Sequence, residues 1–172
     1  MPNTNAQPAS TSQRAMLKYS KVLCPFEFDG NSKPALLLAN ALAKESNAKL
    51  YILHIATVPT HDMDVPLPLK PDPRWEREAR AKLTRIVRKT LNDAVQYAID
   101  IRSGAPDIDI VRVAKELGAD LIVMYTHGRH GFEHFVRGSV TEHVVREAHC
   151  PVLVLHQTPR SQDKSGRARQ TT

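Results

Sequence analysis

Apolar positions along the chain fall into two alternating patterns. Five short runs, residues 22–24, 50–55, 95–101, 121–124 and 152–155, are rich in Val, Ile and Leu, and several are almost continuously apolar. Strands covered on both faces read this way, because neither face needs a polar residue at every second position. The segments between them place apolar residues three or four apart instead: Leu38, Ala41 and Leu42; Trp75, Ala79, Leu83, Ile86 and Val87; Ile110, Val111, Ala114 and Leu117. That spacing predicts helices through these stripes, the first over residues 32–47, and a last helix is expected over 139–148. Punctuation agrees: Gly118 stands where a helix would end in a left-handed cap, Asp107 follows Pro106 at a helix start, and Pro151 separates the last helix from the last strand. Five strands alternating with four helices require crossovers, hence parallel pairing. The expectation is a single doubly wound α/β domain with a five-stranded parallel sheet and helices on both faces.

The ends do not share this pattern. Residues 1–18 and 159–172 are too polar to bury a core, so two disordered tails are expected around a domain over 19–158. The long connection over residues 57–73 contains Pro59, Pro66, Pro68, Pro71 and Pro73, and a loop of that length is usually functional or disordered.

Composition narrows the class. With 172 residues and 41% hydrophobic, the chain suits one domain with a real core rather than two. Its net charge of +6 invites a polyanionic partner. Placement weakens that reading, because the tails carry most of the excess: Arg14 and Lys18 at one end, and Arg160, Lys164, Arg167 and Arg169 against Asp163 at the other. Within the domain, residues 74–89 hold seven bases against Glu76 and Glu78. Bases at 74, 77, 85 and 88 lie opposite the apolar stripe, as on any solvated helix face, so nucleic-acid binding is not expected. Cys24 and Cys150 are far apart and outside ligand patterns, which favours neither a disulfide framework nor a zinc site. No apolar stretch resembles a signal-peptide core or a membrane span, so a soluble, cytoplasmic protein with no membrane association is expected.

In open parallel sheets, ligands bind beyond the carboxyl ends of the strands, where the winding reverses. The loop after the fourth strand is the most informative. Gly128, Gly131 and Gly138 permit close backbone approach, and Ser139 opens a helix, so backbone N–H groups could converge on an anion. A plain loop is the alternative, because Ser139 with Glu142 also forms a capping box. The sequence is neither a Walker A loop nor a dinucleotide fingerprint. His127, His130 and His134 match no standard zinc spacing and read as exposed loop residues. Glu27 and Asp29, two apart on an extended segment, point to opposite faces, so one at most enters a cleft.

These residues resemble the universal stress protein family. The run from Lys21 to Phe28 is similar to its opening strand, Leu53-His54-Ile55 to its second, Gly104 to the glycine after its third, and residues 121–139 with Cys150-Pro151-Val152-Leu153-Val154 to its closing half. The nucleotide-binding members carry Gly, two residues, Gly, nine residues, then Gly with Ser or Thr; Gly128, Gly138 and Ser139 match, and Tyr125 replaces the first glycine. Glu27 stands where the family has Asp. The resemblance implies an adenine nucleotide alpha hydrolase-like fold with the first and fourth strands adjacent. It implies ATP, with or without Mg2+, as the ligand. Adenine would lie against Pro25, Phe26, Glu27 and Ile55. Ribose and phosphates would lie along Gly128, Arg129, Gly138, Ser139 and Val140, with Met124 and His127 lining the cleft. It also implies a homodimer through Val152, Leu153, Val154 and Leu155, and a regulatory role in stress response. Alternatives are a nucleotide-free interaction module closed by Tyr125, or a slow ATPase or self-phosphorylating protein using Ser139 or Thr141; nothing is built for fast catalysis.

Overall fold

The computed structural model describes residues 18–57, 73–93, 95–126 and 140–156. Along them, strand β1 (Lys21–Pro25) is followed by helix α1 (Lys33–Ser46), β2 (Lys49–Thr57), α2 (Pro73–Thr90) and β3 (Tyr97–Gly104). Then come α3 (Pro106–Leu117), β4 (Leu121–Thr126), α4 (Val140–Glu147) and β5 (Val152–His156). All pairings are parallel, in the order β3-β2-β1-β4-β5. The doubly wound α/β arrangement expected from the alternating patterns is the one observed.

Successive strand side chains point to opposite faces, so the sheet divides two cores. On one side Val22, Cys24, Leu50 and Ile52 meet Ala35, Leu36 and Ala39 of α1 and Leu83 and Val87 of α2. On the other, Leu23, Leu53, Ile122 and Met124 meet Ile110 and Val113 of α3 and Val144 of α4. Burial on both faces is why β1 and the start of β4 are continuously apolar in sequence.

Element ends differ from the sequence expectation for identifiable reasons. Ser32 and Asn47 flank α1 rather than extend it; Asn47 adopts φ 54° and donates its N–H to the Ala43 and Lys44 carbonyls. Gly118 ends α3 as expected, at φ 61°. The third strand starts at Tyr97 instead of Val95 and runs to Gly104 instead of Ile101. The N–H of Val95 donates to Asn40 Oδ1 of α1 at 3.2 Å, which removes it from the ladder. Arg102, Ser103 and Gly104 stay paired with Ile55, Ala56 and Thr57, so the partner strand, not residue preference, extends β3.

Two features anchor β3. A Cβ on Gly104 would stand 1.9 Å from Asp109 Oδ2. Asp109 is buried and belongs to a chain of ion pairs, Asp100–Arg102–Glu116–Arg112–Asp109, that ties β3 to α3. On the outer edge, the N–H of Leu50 donates to the Gln96 carbonyl at 3.0 Å, so alternation turns the Ile99 carbonyl away from β2. Arg80 of α2 covers it, donating Nη1 to that carbonyl at 2.6 Å while Nη2 reaches Glu76 at 3.1 Å. At the other end of the sheet, β5 keeps Leu153 39% exposed.

Candidate functional site

The strand order reverses between β1 and β4, the position at which open parallel sheets take ligands beyond the carboxyl ends of their strands. The exit of β1 is fixed from several sides. Pro25 has no N–H; Phe26 donates its N–H to the Leu53 carbonyl at 2.8 Å, and Glu27 donates its N–H to Ser32 Oγ at 3.0 Å. The Phe26 carbonyl is bonded to His54 Nδ1 at 2.9 Å. Ser32 precedes α1, yet its buried hydroxyl caps no helix N–H; it holds Glu27 instead. The backbone at the mouth is therefore rigid while the Glu27 side chain stays exposed. Asp29 is exposed too, but its carboxylate accepts the Asn31 N–H at 2.9 Å and Nδ2–H at 3.0 Å across a turn in which Gly30 adopts φ 87°. Asp29 thus holds the turn, while Glu27 lies at the β1 exit itself, beside His54.

His54 links this exit to β2. A carbonyl only accepts, so Nδ1 carries the proton and the neutral ring offers Nε2 as an acceptor. Burial lowers the His54 pKa, opposed by the Phe26 carbonyl and Glu27, with Lys82 adding to the depression. The Phe28 ring packs on His54 with centroids 4.1 Å apart, and Lys82 Nζ of α2 stands 4.3 Å from the Phe28 centroid. This assembly joins β1, β2 and α2. Sequence reasoning gave Phe28, Ser32, His54 and Lys82 no separate role; the one available signal was a histidine inside the apolar run of β2.

The expected site residues separate into groups. Pro25, Phe26 and Glu27 sit at the β1 exit, Ile55 on β2, Met124 on β4, and Val140 opens α4. The Phe26 ring is 2% exposed and packs in the α1/α2 core, whereas Ile55, Met124 and Val140 pack on the α3/α4 side. The Phe26 ring is therefore turned into the core, and its backbone is held by Leu53 and His54. Met124 is almost fully buried and forms floor rather than wall. Tyr125 is half-buried and packs with Leu155 against the α1/α2 core, on the face opposite Met124. His127, Gly128, Arg129, Gly138 and Ser139, with His130 and His134, lie outside the described residues. Cys24 is fully buried and its thiol is pushed up to about 12, which leaves no thiolate at neutral pH. Among the described residues, no group of three His, Cys, Asp or Glu side chains could hold a metal ion, and no helix is long and apolar enough to cross a membrane.

Known proteins match this chain in sequence and in fold. A universal stress protein of Methanocaldococcus jannaschii, MJ0531, is 31% identical over 144 residues, covering 80% of this chain and 82% of the relative. The universal stress protein YxiE of Bacillus subtilis is 32% identical over 146 residues, covering 80% of this chain and 99% of its own. A solved universal stress protein in complex with cAMP superposes with a TM-score of 0.60 at 25% identity, over 81% of this chain and 98% of that one. The profile of the universal stress protein family matches residues 18–156, all nine described elements included, and the chain belongs to that family.

Proposed function

We propose that this protein binds an adenine nucleotide, ATP with or without Mg2+, in the crevice between the ends of β1 and β4. On this reading it acts as a regulatory module of the stress response. The observation that carries the reading is the adjacency of β1 and β4 at the reversal of the sheet. It puts the 25–27 exit next to the carboxyl end of β4, after which Gly128, Gly138 and Ser139 follow in sequence. The cAMP complex of a structural neighbour supports the class of ligand. The chemistry of the residues fits: an exposed carboxylate suits hydroxyl or amine donors of ribose or base, and Ile55 supplies a partly exposed apolar contact. Phosphates would go to backbone N–H groups of the glycine run and the start of α4. Two copies would associate through β5, at Val152, Leu153, Val154 and Leu155.

Titration calorimetry with ATP, ATP with Mg2+, and cAMP tests the ligand. The expected result is a Kd tighter than about 100 μM for at least one of them, weakened about tenfold by Glu27→Ala. Because the Tyr125 ring packs on the α1/α2 side, Tyr125→Gly should change affinity by less than about threefold. No heat with the native chain, and binding restored by Tyr125→Gly, would establish the nucleotide-free reading instead.

A further inference from the structure

Helix α2 buries Ala79, Leu83 and Val87 in the core, which fixes the direction of its outer face. That face is a shallow depression of about 650 Å³, with Ala81 and Thr84 as its floor and Arg77, Arg85, Arg88 and Lys89 around them. These four cations differ from the other arginines of the described surface. Arg80 pairs with Glu76, Arg102 with Asp100 and Glu116, Arg112 with Asp109 and Glu116, and Arg146 with Glu142 and Glu147. Arg77, Arg85, Arg88 and Lys89 have no carboxylate partner among the described residues. A solvated face would be expected to intersperse acids with its bases; here the neighbouring acids lie at the amino-terminal end, as Glu76 and Glu78.

We propose that this face docks an acidic α-helix of a partner protein. Its carboxylates would meet Arg77, Arg85, Arg88 and Lys89, and its backbone would lie close over Ala81 and Thr84. At 1.5 Å per residue, positions 77 to 88 span about 17 Å, the length of three helical turns. Residues 77, 81, 84 and 88 recur at four, three and four, the spacing with which one helix faces another. Ala81 and Thr84 in the middle of that line allow close approach, while Arg77 and Arg88 at its ends and Arg85 beside it present guanidinium forks that suit carboxylates. Glu78, exposed at one end of the face, repels a uniformly anionic polymer there and sets the polarity of a helix that carries a base opposite it. The face presents no exposed aromatic ring on which bases could stack, because Trp75 packs toward the core. Since the apolar side of α2 is already buried, the helix has no surface left to insert into a bilayer.

Fluorescence anisotropy of the full chain at about 150 mM salt tests this, independently of any nucleotide. The probe is a labelled Ala/Glu peptide helix with its glutamates in one stripe. Comparators are a proline-broken peptide of equal charge, a single-stranded oligonucleotide of about 20 nucleotides, and phosphatidylserine vesicles. The helix should bind at least about tenfold more tightly than the broken peptide. Joint Arg77→Glu and Arg85→Glu should remove binding, and Ala81→Leu should weaken it with every charge intact. All these positions are exposed, so an unchanged melting temperature is the control for folding; Arg88→Gln, a milder change, should give a partial loss if the double reversal unfolds α2. Equal binding of both peptides, preference for the oligonucleotide or vesicles, no saturable binding, or native affinity in Ala81→Leu would each overturn the proposal.

Discussion

His54 shows how one side chain sets the pH response of the site. Its folded pKa lies below the ordinary imidazole value of 6.5, chiefly because burial disfavours the charged ring. The unfolded chain therefore takes up a proton before the native one does. The His54 contribution is complete above pH 6.5 and is lost as the pH falls below that value toward the folded pKa. His54→Asn keeps an N–H for the Phe26 carbonyl without a titrating ring. Denaturation curves taken between about pH 7.5 and pH 5 should show the native chain losing more stability on acidification than this variant; parallel losses would exclude His54 as the source. The role of His54 was invisible in sequence for a physical reason. Its partner carbonyl lies 28 positions away, and a side-chain bond to a distant backbone leaves no periodicity or local motif. Ser32 hid differently: a serine before a helix reads as a cap, and only the fold shows its hydroxyl turned to Glu27. Pro25 and Glu27 were legible because their place after an apolar run puts them at a strand exit whatever their side chains do.

At the level of elements, the alternation of continuous apolar runs with three-to-four spacing was enough to place the five strands and the first three helices among the described elements. Their limits were legible only where a residue has a backbone preference of its own, as with Gly118. β3 is the counterexample, since its polar end at Arg102, Ser103 and Gly104 is held in register by β2. That end also carries the tightest approach recorded for any described glycine, Gly104 against Asp109. Asp109 cannot simply swing aside, because it is buried and paired with Arg112. Gly104→Ala should therefore cost about 1–3 kcal/mol, as overpacking does. In the Asp109→Ser background the same substitution should cost less, because the shorter side chain relieves the clash. Thermal melts of the four proteins check this; additive losses would show that the two residues do not interact.

The two ends of the sheet set the behaviour of the whole molecule. β5 carries Leu153 and Leu155 with no formal charge along its length, and the proposed homodimer forms there. Leu153→Arg, at the exposed position of β5, should halve the mass measured by light scattering while leaving the fold intact. A native chain already monomeric at about 100 μM would remove β5 as a self-association surface. β3, at the opposite end, carries Asp100 and Arg102, and its outward Ile99 carbonyl is taken by Arg80. The guanidinium of Arg80 thereby occupies an outward carbonyl of that edge. With both edges available, parallel sheets could add copy after copy in an open filament. With the β3 edge stoppered, a pair joined through β5, as proposed, would offer no further edge for growth.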